Sequence, residues 1–246
     1  MCDVCGNVEH EPRVSRRDFL RTGAVAALAP WSFGAAIAAD PKAPGATPPP
    51  NAIAPAEALK RLMEGNARYV ANTPNEKDFS SGRAARVQGQ YPFAQILSCS
   101  DSRVSPELAF DQGPGELFVM RVAGNVVSPN LLASLEYGAQ FLGVPLIMVL
   151  GHSGCGAVDA AIKVLKAKAV LPGHLPQLIA AIKPAVTVAA KTQTGNLLDN
   201  AVAENVRRQV AQLKRSPPIV QKAYAGKKID IVGGVYDLAT GKVTVL

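Results

Sequence analysis

Apolar positions in this chain recur with two different periods. From Pro55 the positions Leu59, Leu62, Met63, Asn66, Tyr69 and Val70 return at steps of three and four, which predicts a helix entered at a proline. Three short apolar runs follow: FAQILSCS from Phe93, ELFVMRVAG from Glu116 and PLIMVLG from Pro145. Each is too short for a helix and reads as a strand. Between the last two, PNLLASLEYGAQFLG returns to the helical period and is closed by Gly143. DAAIKVLKAKAV, HLPQLIAAIKPAVTVAAK and NLLDNAVAENVRRQVAQLKRS predict three more helices, with Thr194 as a start signal for the last. IDIVGGVYDL and KVTVL, split by Ala239-Thr240-Gly241, read as a terminal strand pair. Short apolar strands alternating with helices imply an α/β fold, a single domain with a central, mostly parallel sheet flanked by helices.

The first 51 residues follow neither period. Arg16-Arg17 precede Phe19-Leu20, a mostly apolar run extends from Thr22 to Ala38, and Ala36-Ile37-Ala38 has the small-x-small form of a cleavage site. That layout predicts a secretory signal over residues 1–39, and the paired arginines point to the twin-arginine route. The run is short for a bilayer span and is interrupted by Pro30. Residues 40–51, with five prolines in twelve, read as an extended linker. The domain is therefore expected over 52–246, and the mature protein in the periplasm or another extracytoplasmic space, without a stable membrane span.

Composition narrows the function. With 48% hydrophobic and 18% charged residues the chain is that of a globular protein. The net charge of +7 would suit nucleic acid or an anionic substrate. Lys and Arg are scattered, however, and aromatic residues make up 5%, so a nucleic-acid partner is not expected. Removing the signal leaves two cysteines, Cys99 and Cys155, and two histidines, His152 and His174. Two cysteines do not make a disulfide scaffold. Cys2 and Cys5 form a CxxC inside the segment expected to be removed and are read as incidental to the mature protein.

The remaining cysteines stand at strand ends. Cys99-Ser100-Asp101-Ser102-Arg103 closes one predicted strand, and His152-Ser153-Gly154-Cys155 closes another. Ligands of open α/β sheets gather at the carboxyl ends of strands. If those strands are neighbours, two sulfurs, one imidazole and one carboxylate converge, a set suited to tetrahedral zinc rather than to magnesium or calcium. Two buried structural cysteines, a Cys99–Cys155 disulfide or a purely structural zinc are the plainer alternatives.

CSDSRV at residues 99–104, followed by GHSGCGAV at 151–158, resembles the β-class carbonic anhydrases, and the similarity extends from about Pro55 to the C-terminus. The resemblance implies one zinc per subunit, a homodimer or higher homo-oligomer, and reversible hydration of CO2 to bicarbonate and a proton by hydroxide made at the zinc. It assigns Cys99, His152 and Cys155 as permanent ligands and Asp101 with Arg103 as the catalytic pair. Asp101 either closes the site as fourth ligand or is held off by Arg103, which leaves that position to water. Gln90, Phe118 and Tyr137 match substrate-pocket residues of one subgroup. Each also has an ordinary reading, as loop, strand core and helix stripe. The other subgroup closes its site through a pocket that uses a tryptophan, and the only tryptophan here, Trp31, lies in the signal segment, so the open form is expected. Hydrolysis of carbon disulfide or carbonyl sulfide on the same fold, and a non-catalytic zinc module, are the competing readings.

Overall fold

The computed structural model describes residues 48–246. The predicted signal and its CxxC lie outside them, as does most of the predicted linker. Helix α1 (Pro55–Val70) begins at a proline as expected, and its Ala58 and Leu62 are buried against the sheet. Two short helices that the apolar pattern does not announce, α2 (Arg83–Gln88) and α3 (Pro106–Ala109), flank strand β1 (Ala94–Ser98). Strand β2 (Leu117–Arg121) leads through a 3-10 turn (Ala123–Asn125) into α4 (Pro129–Gln140). Strand β3 (Leu146–His152) is buried along its whole length. Helices α5 (Gly156–Ala167), α6 (Leu175–Ala189), α7 (Leu197–Lys214) and α8 (Ile219–Ala225) precede β4 (Asp230–Tyr236) and β5 (Val243–Val245).

One sheet holds all five strands in the order β2-β1-β3-β4-β5. Four of them run parallel, and only β5 pairs antiparallel, on β4. The terminal strand pair is thus present, but β4 is first of all the parallel neighbour of β3. Near-continuous apolar runs such as PLIMVL suit parallel strands covered on both faces. One face packs on α1, where Leu62, Phe93, Phe110 and Met148 form an apolar cluster. The other meets α4, α7 and α8 through Leu97, Leu135, Val149, Val206 and Val220. Gly151 allows α7 its close approach: a Cβ there would stand 2.6 Å from Val206 Cγ2.

The start of α7 differs from the expectation. Its cap is Asn196, whose Oδ1 accepts the amides of Leu198 and Asp199, whereas Thr194 lies in the loop before it. Asparagine is at least as good a cap as threonine, and here it is the residue immediately before the first turn.

Strand order sets the site. From β1 the chain steps to β2 on one side, then crosses to β3 on the other, so the carboxyl ends of β1 and β3 flank a topological switch point. Cys99 follows β1 directly, and His152 is the last residue of β3.

Candidate metal centre

Three buried side chains converge at that switch point. Cys99 Sγ, Cys155 Sγ and a ring nitrogen of His152 all lie within 4.8 Å of one another. Two zinc–sulfur bonds of about 2.3 Å in a tetrahedron place the sulfurs about 3.8 Å apart. The observed separation of Cys99 Sγ and Cys155 Sγ is 4.0 Å, and both thiols are free.

Each of these side chains is held by the chain around it. Ser153 fixes the turn after β3: its amide donates to the Tyr236 carbonyl on β4, and its Oγ accepts the amide of Leu238. Gly154, in left-handed backbone at φ +64, then brings Cys155 back towards His152. Cys155 stands at the amino end of α5, where the helix dipole favours a thiolate. On the β1 side, Arg121 reaches across from β2. Its Nε donates to the Cys99 carbonyl at 3.1 Å and its Nη2 to the Asp101 carbonyl at 2.8 Å.

The chemistry of the donors fits zinc. His152 Nδ1 lies 2.9 Å from the Ser153 carbonyl, which can only accept, so Nδ1 carries the proton and Nε2 presents its lone pair. That Nε2 is buried and has no hydrogen-bond partner among the described residues. A buried acceptor without a partner is costly, and a metal ion supplies one. The two sulfurs share a proton. The hydrogen bond from Cys155 lowers the pKa of the Cys99 thiol, against the effect of burial. Sharing with Cys99, together with burial, pushes Cys155 up. Both sulfurs ionise together only where a cation takes the place of that proton.

Asp101 stands beside this set but outside it. Its Oδ2 is 3.8 Å from His152 Nε2. Arg103 grips the carboxylate with Nε on Oδ1 at 2.8 Å and Nη2 on Oδ2 at 2.7 Å, and the Arg103 amide adds a bond of 3.0 Å to Oδ1. These hydrogen bonds, those from the Arg103 side chain foremost, hold the Asp101 carboxyl well below the usual carboxylate range. Asp101 is thus gripped by Arg103 while its Oδ2 stays close to His152 Nε2.

The remaining pocket candidates are not brought to the centre within one chain. Phe118 pairs in register with Gln95, four residues before Cys99, which corresponds to about 13 Å along the strand. Its ring lies 6.3 Å, centroid to centroid, from Tyr137, which in turn lies 5.5 Å from Phe141. Gln90 is exposed in the loop ahead of β1. All three belong to the amino end of β1 and β2, whereas the cysteines sit at the carboxyl end. His174, at the start of α6, is exposed. The sequence reading did not anticipate Arg121 or the Ser153 carbonyl as supports. An arginine closing a strand and a serine in a glycine cluster carry no periodic signal.

Comparison with known proteins agrees with the geometry. A family model described as carbonic anhydrase matches residues 94–243. The carbonic anhydrase of Mycolicibacterium smegmatis is 41% identical over 191 residues, covering 77% of this chain and 92% of that one. Carbonic anhydrase 2 of Mycobacterium tuberculosis is 38% identical over 189 residues, 76% of this chain and 91% of that one. Among solved structures, the Coccomyxa β-carbonic anhydrase in complex with acetazolamide superposes with a TM-score of 0.61 at 33% identity, covering 76% of this chain and 86% of that one. With the family model spanning more than half of its length, and with its strand order and Cys-His-Cys cluster in place, this chain belongs to the β-class carbonic anhydrases.

Proposed function

We propose that this chain catalyses reversible hydration of CO2 to bicarbonate and a proton, with a zinc ion held by Cys99, His152 and Cys155. The observation that carries this reading is the buried Cys-His-Cys cluster, with the unpartnered Nε2 of His152 beside an Asp101 gripped by Arg103. When bound, zinc supplies Lewis acidity that turns water into hydroxide near neutral pH. Two thiolates neutralise much of the metal's charge, so this ionisation is expected above the value of about 7 known for a three-histidine site.

The chain's own residues do the rest. His152 is locked by Ser153 in the tautomer that offers Nε2. Arg103 keeps Asp101 ionised and engaged through both carboxylate oxygens, which leaves the fourth position to water. Asp101, ionised and acceptor-only, takes a hydrogen bond from the attacking oxygen and orients its lone pair towards carbon. One carbon–oxygen bond forms, one carbon–oxygen π pair moves onto oxygen, and a proton leaves to solvent. Cys99 and Cys155 lie among Val126, Val158, Ile179 and Ile182, an apolar surround suited to a small, weakly polar gas. The relatives named above carry the carbonic anhydrase name, and no observation favours carbon disulfide or carbonyl sulfide as substrate. The test is Asp101→Asn: zinc content stays at the wild-type level while hydration falls by about a hundredfold or more. Equal loss of zinc and turnover would make Asp101 a standing ligand.

A homo-oligomer is part of the same proposal. Strand β2 is an edge strand, and Tyr137 and Phe141 are exposed beside it. An apolar edge of this kind is normally covered. Since Gln90, Phe118 and Tyr137 lie away from their own chain's cysteines, a substrate role for them requires a second copy. Export by the twin-arginine route is likewise proposed, on the Arg16-Arg17 layout. No helix among the described residues is long and apolar enough to cross a membrane. Export in a folded state would load zinc in the cytoplasm and shield both sulfurs from oxidation. Equal zinc loading after export as an unfolded chain would remove this reason for the route.

A further inference from the structure

Behind Cys99, a pair of buried amides on α7 is tied to its sulfur through a single residue, Gly124. The Gly124 amide donates to Cys99 Sγ at 3.3 Å. The carbonyl of the same residue accepts from Asn205 Nδ2 at 2.8 Å. Asn205 is 1% exposed, and one turn further along α7 Gln209 is 4% exposed. Gln209 Nε2 donates to Asn205 Oδ1 at 3.4 Å, and its Oε1 accepts the Val127 amide at 2.8 Å. Helix α7 thus holds the chain at the Gly124 carbonyl and again at the Val127 amide just beyond the turn over Ala123–Asn125. Gly124 itself has φ +70, and a Cβ there would meet Ile182 Cδ1 at 2.6 Å, so a side chain at this residue would displace the turn or Ile182.

We propose that Asn205, braced by Gln209, is a positioning residue for the metal centre, and that it acts by aiming the Gly124 N–H at Cys99 Sγ. The proposal rests on the zinc reading above. An N–H directed at a thiolate withdraws charge from the sulfur, so that the sulfur gives less to the metal. A metal left more positive acidifies its water more strongly. The bond also fixes the sulfur before the ion arrives, and such outer partners typically change metal affinity by about ten- to a hundredfold. On sequence alone Asn205 and Gln209 look like the solvated face of a helix; their burial against the 3-10 turn gives them this role.

The test is Asn205→Leu, which keeps the size of the side chain and removes the donor. Wild type and variant are loaded with Co2+ in place of zinc, and zinc affinity is measured by competition with a chelator. The expected result is a folded variant that binds one cobalt, with its sulfur-to-cobalt charge-transfer band at longer wavelength. Its zinc affinity falls by about tenfold or more, and its hydration activity rises at higher pH than in wild type. Gln209→Met, which removes the brace alone, moves the band in the same direction by less, and it decides the matter if Asn205→Leu fails to fold. A merely structural role would lower stability and leave the band, the affinity and the pH profile where they were; that result overturns the proposal. Failure of the wild type to bind cobalt or zinc would instead overturn the zinc reading.

Discussion

Gly124→Ala puts the coupling between fold and site to a quantitative test. The substitution brings two costs. A side chain at φ +70 adopts left-handed backbone, which costs about 1–2 kcal/mol. Its Cβ would also stand 2.6 Å from Ile182 Cδ1 and 3.4 Å from Ala157 Cβ, both packed in the apolar cluster around the cysteines. Overpacking of this kind costs about 1–3 kcal/mol. Gly143 separates the two costs, because it has φ +63 and nothing within 4 Å of its Cβ position. Gly143→Ala is expected to lose about 1–2 kcal/mol and Gly124→Ala about 2–5 kcal/mol. Urea unfolding at one protein concentration, with a common slope, measures both. Only Gly124→Ala is expected to lower zinc affinity, because only there does the displaced amide serve Cys99. Equal losses at the two glycines, with zinc affinity unchanged, would refute the claim that the turn at Gly124 is packed closely against the metal centre and serves Cys99.

Other consequences are as direct. Cys155→Ser should lose zinc and lower stability, measured by metal analysis and thermal unfolding, since one sulfur and one imidazole no longer make a closed set. Gln95 is fully buried, and both amide atoms lack a partner among the described residues, so Gln95→Met should raise stability by about 1–3 kcal/mol in urea unfolding; a loss would mean that the amide is satisfied, for instance across an interface. Asp111 is buried against Arg68, with Nε to Oδ2 at 2.6 Å, and Lys77. Burial alone would raise its pKa, but the bonds from Lys77, Arg68 and the Asn75 amide outweigh it and lower the value. A folded value below the unfolded one, about 3.9, means that this stabilisation is complete above that pH and fades as pH falls through the folded value. Stability against pH below about 4 should therefore be flatter in Asp111→Asn than in wild type.

Much of this fold is written in the apolar pattern. The runs at Phe93, Glu116 and Pro145 are strands because each is short, apolar and bounded by turn residues, and the ends of two of them carry Cys99 and His152. The short helices α2, α3 and α8 were not legible, because four to seven residues hold too few turns to show a period. The family resemblance matched Gln90, Phe118 and Tyr137 to pocket positions, but the sequence could not show at which end of the sheet they lie. Strand register puts Phe118 at the far end from its own cysteines, with Tyr137 stacked beside it and Gln90 in the loop ahead of β1. The support given by Arg121, Asn205 and Gln209 was invisible for another reason. A polar side chain on a helix or at a strand end looks solvated until the element packed over it is known.

The most direct measurement is zinc content together with the rate of CO2 hydration on the purified protein from about pH 6.5 to 9, a range around the zinc–water ionisation. Zinc at one equivalent per chain, with a rate that rises with pH through a single ionisation, is the expected result. A protein that purifies with Cys99 and Cys155 free of metal, or that holds zinc and hydrates no CO2 at any of these values, would contradict it.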